Sequence, residues 1–181
     1  PGSVSDPGAT DVDDLSGEWI PLPAEFEDLS GVAAATRVGD YSMRTRLMNS
    51  GDVRGRFIAI DRTDFAGIGW FREDFADESL GGLMNRLAMS DDAILVSEDV
   101  LQENHLLVGD TINVRVSINY ALGIDASFTI AGTYKYFPTV YEEDRVTFIG
   151  NLDYFSYYFG VIVPHRIWLH VEEAVSYTHL R

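Results

Sequence analysis

The chain contains no cysteine. A disulfide framework, a thiolate metal site and a cysteine nucleophile are all excluded with it. No stretch reaches the ~18 consecutive apolar residues of a membrane-spanning helix, and the first residues show neither a basic leader nor the apolar core of a signal peptide. Basic residues are scarce: 13 Lys and Arg stand against 29 Asp and Glu, a formal charge of −16. Nucleic acids and anionic lipid surfaces require a basic face, so this balance speaks against both and favours solubility or a basic partner.

Chemistry motifs are missing as well. There is no G-x-S-x-G, no G-x-x-x-x-G-K-[ST] and no H-E-x-x-H, and Gly67-Ile68-Gly69 lacks the third glycine of a dinucleotide loop. His105, His165, His170 and His179 show no metal-ligand spacing. Asp11, Asp13 and Asp14 fail as a calcium loop, because Ser16 and Leu22 stand where that loop needs Gly and Glu. No catalytic residue, cofactor or metal is therefore expected. A carboxylate pair for glycoside hydrolysis, drawn from Asp61, Asp64, Glu73 and Asp74, is the enzymatic alternative. These acids read better as turn and cap residues around Phe65, Trp70, Phe71 and Phe75.

What is present reads as a globular chain. Apolar residues make up 46% and charged residues 23% of its 181 positions. That composition suits one domain or two small ones, in which about 70% of the unfolded surface is buried. Residues 1–16, rich in Gly, Ser, Pro and Asp, read as a flexible lead-in. Pro23 suits the first turn of a short helix that Gly31 ends. The strand Val32–Val38 follows, then a turn at Gly39-Asp40, then a β pair from Tyr41–Asn49 and Val53–Asp61. Arg44, Arg46, Arg54 and Arg56 fall at period two and should line the exposed face of that pair. They could form a local anion site, but pairing with nearby carboxylates or plain solvation is the expectation. Ser79 caps a helix whose Leu80, Leu83, Met84 and Leu87 recur at i, i+3, i+4 and i+7.

The stretch Ala93–Tyr134 organises the rest. A short apolar strand, Ala93–Val96, leads into a helix of about ten residues capped by Ser97, with Val100, Leu101 and Leu107 on its apolar face and Gly109-Asp110 at its end. Thr111–Ile118 then alternates without a break, Ile112, Val114, Val116 and Ile118 on one face. Ala126–Tyr134 returns, with Phe128 and Ile130 inward.

The segments ILVSE (Ile94–Glu98), VGDT (Val108–Thr111) and FTIAG (Phe128–Gly132), in this order and spacing, resemble the extracytoplasmic domain of ABC transporter permeases of the FtsX/MacB type. LSGVAAATRV (Leu29–Val38) is similar to that family's first extracytoplasmic strand, and IWLHV (Ile167–Val171) to its return strand. The resemblance covers about Pro23 to Val171 and implies an α+β fold. Residues 17–92 and 165–175 would form a membrane-proximal, porter-like α+β subdomain, and residues 93–164 an inserted β-rich subdomain. Ser176–Arg181 fits none of the family's closing elements, so the membrane-proximal half is expected to be incomplete at its C-terminal end.

The same resemblance implies a non-catalytic function. The domain would sit on the extracytoplasmic face of a bacterial cell membrane and couple ATP-driven motion to export or signalling. A separate cytoplasmic ATPase subunit would serve the parent permease, which would be a dimer; an extracytoplasmic protein partner is also implied. The alternative is a free-standing secreted or surface binding module with an acidic face. From Tyr134 to Phe159 the chain crowds aromatic residues, more than its few aliphatic neighbours suit as core alone. Tyr154, Tyr157 and Tyr158 are the expected contact residues for a protein partner, with core packing as the competing assignment.

Overall fold

The computed structural model describes residues 21–119, 122–140 and 146–172. The expected lead-in with Asp11, Asp13 and Asp14, and the tail Ser176–Arg181, lie outside the described residues. Among the described residues, helices α1 (Ala24–Glu27), α2 (Leu80–Leu87), α3 (Glu98–Glu103) and α4 (Leu152–Phe159) accompany seven strands. These are β1 (Val32–Leu47), β2 (Gly51–Ile60), β3 (Ala93–Ser97), β4 (Thr111–Ser117), β5 (Gly123–Tyr134), β6 (Thr147–Asn151) and β7 (Arg166–Val171). The fold is mixed α+β, as expected, and is rich in strand throughout.

The strands form one sheet in the order β2-β6-β3-β5-β4-β1-β7, and β2 also pairs with β1. That extra pairing closes the sheet on itself. Ser42 to Thr45 of β1 pair with β4 on one edge while the same residues pair with β2 on the other. Val38 pairs with Ile60 of β2 and with Arg166 of β7, so β4 and β7 share one edge of β1. The C-terminal half of β1 thus belongs to a barrel. Its N-terminal half projects beyond that barrel and carries β7 alongside.

Period-two alternation decides what fills the barrel. Tyr41, Met43, Phe57, Ile94, Val96, Ile112, Val114, Val116, Phe128, Ile130 and Phe148 are buried in its interior cluster. β3 and β6 are antiparallel and each runs straight into a helix, so α3 and α4 lie at opposite ends of the barrel. Val100 of α3 and Leu152 and Phe155 of α4 join the interior cluster from those ends. The outer faces of β2, β3 and β6 are apolar too, and Ile58, Ile60, Leu95 and Ile149 pack there against α2 and Phe65. Ser79 caps α2 as expected, its hydroxyl accepting from the Gly82 amide at 3.1 Å.

Three local expectations are corrected. Gly39-Asp40 makes no turn, and β1 runs through it. The glycine is needed for a close approach instead: a Cβ there would meet the Tyr41 ring within 2.6 Å. The helix expected to run about ten residues from Ser97 ends after six. Asn104 stops it, its side-chain amide donating to the Val100 carbonyl at 3.0 Å, and His105 turns left-handed with φ of 54°. Leu107, expected on the helix's apolar face, lies past that stop and is 68% exposed.

Strands from both sides of the expected subdomain boundary at 92/93 are hydrogen-bonded together: β1 to β4, β2 to β6. The expected return strand Ile167–Val171 lies beside the first strand, with Ala34 opposite His170 and Arg37 opposite Ile167.

Candidate functional site

The expected contact tyrosines all lie on α4. This helix follows β6 through Asn151, a buried residue whose amide nitrogen donates to the carbonyls of Leu87, Ser90 and Asp91 at 2.9, 3.1 and 3.2 Å. The end of α2 is thereby tied to the start of α4. Asp153 in the first turn complements the helix dipole and accepts from Arg37 at 3.1 Å. Gly160, at φ of 70°, ends the helix in the left-handed cap that glycine adopts freely.

Helical spacing sorts the aromatic residues. Leu152 and Phe155 point into the barrel, where the Phe155 ring meets Tyr41 edge-on at 5.6 Å and Phe57 edge-on at 5.2 Å. Tyr154 is half-buried, 5.2 Å from the Phe128 ring and 5.5 Å from Phe155. Its phenol is pushed above the ordinary tyrosine range by burial first, then by the charge of Asp92 and by Tyr158 one turn on. Tyr157 is 89% exposed and Tyr158 58%. The structure thus brings the three residues onto one short helix with Tyr154 as its anchor and the other two facing outward. Ile162, in the segment after Gly160, is also exposed.

Beneath this helix Arg37 donates to Asp61 from both Nε, at 3.1 Å, and Nη2, at 2.5 Å. Thr63 adds a hydroxyl donor to the other carboxylate oxygen at 2.7 Å. Burial alone would raise the Asp61 pKa; the hydrogen bonds and charge of Arg37 and Thr63 outweigh it and hold the carboxyl below its ordinary value. A carboxylate held ionised in this way is unsuited to act as a general acid. Asp74, another acid of the enzymatic alternative, pairs with Arg72 at 2.6 Å on the surface. Among the described residues no three His, Asp or Glu side chains are grouped to hold a metal ion.

One group of residues escaped the sequence pattern. Arg44 stands directly opposite Arg54 on β2 and directly opposite Arg115 on β4, which in turn faces Asp125 on β5. Arg44 and Arg54 were visible as half of a period-two series, but Arg115 joins them only through the register of strands distant in sequence. Of that series, Arg56 departs from full exposure: it is half-buried and pairs with Asp40 at 3.1 Å.

No family model and no curated protein sequence matches the chain. Solved structures do. The extracellular domain of the noncanonic ABC-type transporter YknZ from Gram-positive bacteria superposes with a TM-score of 0.50 and 13% identity, over 88% of this chain and 78% of that one. The periplasmic region of MacB from Actinobacillus actinomycetemcomitans gives 0.50 and 12%, over 92% and 72%. At such identities the likeness speaks of architecture alone, and the architecture agrees with the family resemblance of the ILVSE, VGDT and FTIAG segments: this chain has the fold of the extracellular and periplasmic domains of ABC-type transporters.

Proposed function

We propose that the chain is the extracytoplasmic domain of an FtsX/MacB-like ABC transporter permease, a non-catalytic element that couples ATP-driven motion to export or signalling outside the membrane. The observation that carries this reading, beside the shared fold, is where the first and last strands lie. β1 begins and β7 ends side by side and antiparallel, with Val32 opposite Val171 and the Glu172 amide donating to the Gly31 carbonyl at 2.9 Å. A domain held between two membrane segments needs its entry and exit together at one end, so that motion of the pair reaches the whole body. The barrel gives that body stiffness, because a closed sheet has no free edge to slip.

ATP hydrolysis would belong to a separate cytoplasmic subunit, and the permease would work as a dimer. The outward-facing Tyr157 and Tyr158 would meet an extracytoplasmic protein, with Tyr154 holding their helix to the barrel. Tyrosine suits such a contact, offering large area at low rotamer cost and a hydroxyl that tolerates water when the partner is absent. The coding sequence on either side tests the reading: it should encode apolar segments of about 20 residues. A complete reading frame without them would refute it.

A further inference from the structure

Where β1, β2, β4 and β5 adjoin on the outside of the barrel, an open groove of about 570 Å³ is lined by strand residues alone, with no helix among the described residues lining it. Arg44, Arg46, Arg54 and Arg115 line it, with Asp52 and Asp125 at its margins. Three of these arginines sit in one row across adjacent strands, Arg54 opposite Arg44 and Arg44 opposite Arg115. Like charges directly opposite one another on a sheet are destabilising. The margins neutralise part of the charge: Arg115 pairs with Asp125 at 2.7 Å, and Arg46 reaches Asp52 only at 3.9 Å. Arg44 and Arg54, at the centre, have no hydrogen-bonding or ionic partner among the described residues. Two exposed arginines rooted at directly opposite positions of strands ~4.8 Å apart present neighbouring forks for carboxylate or phosphate oxygens.

We propose that this groove docks an acidic polypeptide segment, whose carboxylates are taken by Arg44, Arg54 and Arg115. Charge selects the occupant. The chain as a whole carries −16, and aspartates bound the groove, so a densely charged polymer such as a nucleic acid meets net negative charge beyond the groove. A segment with a few discrete carboxylates meets only the basic centre, while Asn113 and Ser127 in the lining offer polar contacts to its backbone. The groove also lies far from the paired ends of β1 and β7: Arg44 is 12 residues along β1 from Val32, about 40 Å at the rise of a strand. A segment docked there would touch the domain at the end away from its entry and exit. This inference stands apart from the tyrosine surface and does not depend on it.

Fluorescence anisotropy of the purified chain tests it, with a labelled peptide of alternating Glu and Ser and a Gln-Ser peptide as the neutral control. The acidic peptide should bind, more weakly as salt is raised, and the neutral one should not. The double variant Arg44→Gln with Arg54→Gln should lose about tenfold or more in affinity, and Arg44→Lys should lose less because the charge survives without the fork. Arg72→Gln, a surface arginine outside the groove, should bind as the parent does, and circular dichroism should show all variants folded. No binding of the acidic peptide, unchanged binding by the double variant, or an equal loss in Arg72→Gln overturns the proposal. So does tighter binding of a polyuridylate oligonucleotide, or binding of inorganic pyrophosphate alone.

Discussion

Tyr154, Tyr157 and Tyr158 look alike in sequence but are placed to do different things. Tyr154 packs on Phe128 and Phe155, so Tyr154→Ala should destabilise the domain by about 2 kcal/mol in chemical denaturation. Tyr157→Ala and Tyr158→Ala should stay within about 0.5 kcal/mol, as exposed changes do, and lower transport or signalling by the parent permease. Loss of several kcal/mol at all three would make them core and remove the contact surface. A second residue-scale expectation concerns acid. The Asp61 carboxyl is held below its unfolded value, so its ion pair stabilises the fold fully above a pH of about 4 and is lost as pH falls through the folded value. Asp61→Asn should cost about 2 kcal/mol near neutral pH, measured by urea unfolding, because Arg37 loses its most buried charged partner. The penalty should shrink as the parent itself is acidified below about pH 4; a constant penalty across that range would show that Asp61 titrates normally.

Among the elements, the β2–β6 pairing is the most easily broken by one added carbon. A Cβ at Gly55 would overlap the Val146 carbonyl oxygen, which accepts from the Arg56 amide at 2.9 Å. Gly55→Ala should therefore cost about 3 kcal/mol or more, whereas Gly67→Ala, which meets nothing within 4 Å, should be nearly neutral. Thermal unfolding of the two variants distinguishes them, and equal stability would contradict the close approach. Elements like β4 and α2 were legible because their burial follows one local period, alternating along Ile112, Val114 and Val116 or recurring along Leu80, Leu83, Met84 and Leu87. β1 was legible only in halves. Gly39-Asp40 has the composition of a turn, and the reason for the glycine is the Tyr41 ring above it, a contact that composition does not reveal. The end of α3 was missed for a similar reason: Asn104 also accepts from the amides of Asn49 and Ser50, tying the helix stop to the β1–β2 turn more than 50 residues away. The exposed tyrosines were named from crowding alone, while the arginine row needed register between β1, β2 and β4. Register is a tertiary property, set by which faces must be buried together.

For the whole molecule, the shared sheet has a consequence for unfolding. Residues 17–92 supply the neighbouring strands β1 and β2 of the barrel and residues 93–164 the other four, with β1 bonded to β4 and β2 to β6 at the two seams. Neither segment can bury its apolar face without the other, so thermal unfolding followed by calorimetry should show a single cooperative transition. Two resolved transitions would instead support a division into two subdomains near residue 92. The central claim is that the chain works outside the membrane as part of a permease, and the lack of cysteine makes it directly testable. A Tyr157→Cys substitution places one thiol at a position 89% exposed. In spheroplasts expressing the full-length parent, a membrane-impermeant maleimide should label that thiol, above the background of the unsubstituted parent, before any lysis, and the labelled protein should sediment with membranes. Labelling that appears only after lysis, or a labelled protein that remains in the soluble fraction, would contradict the assignment.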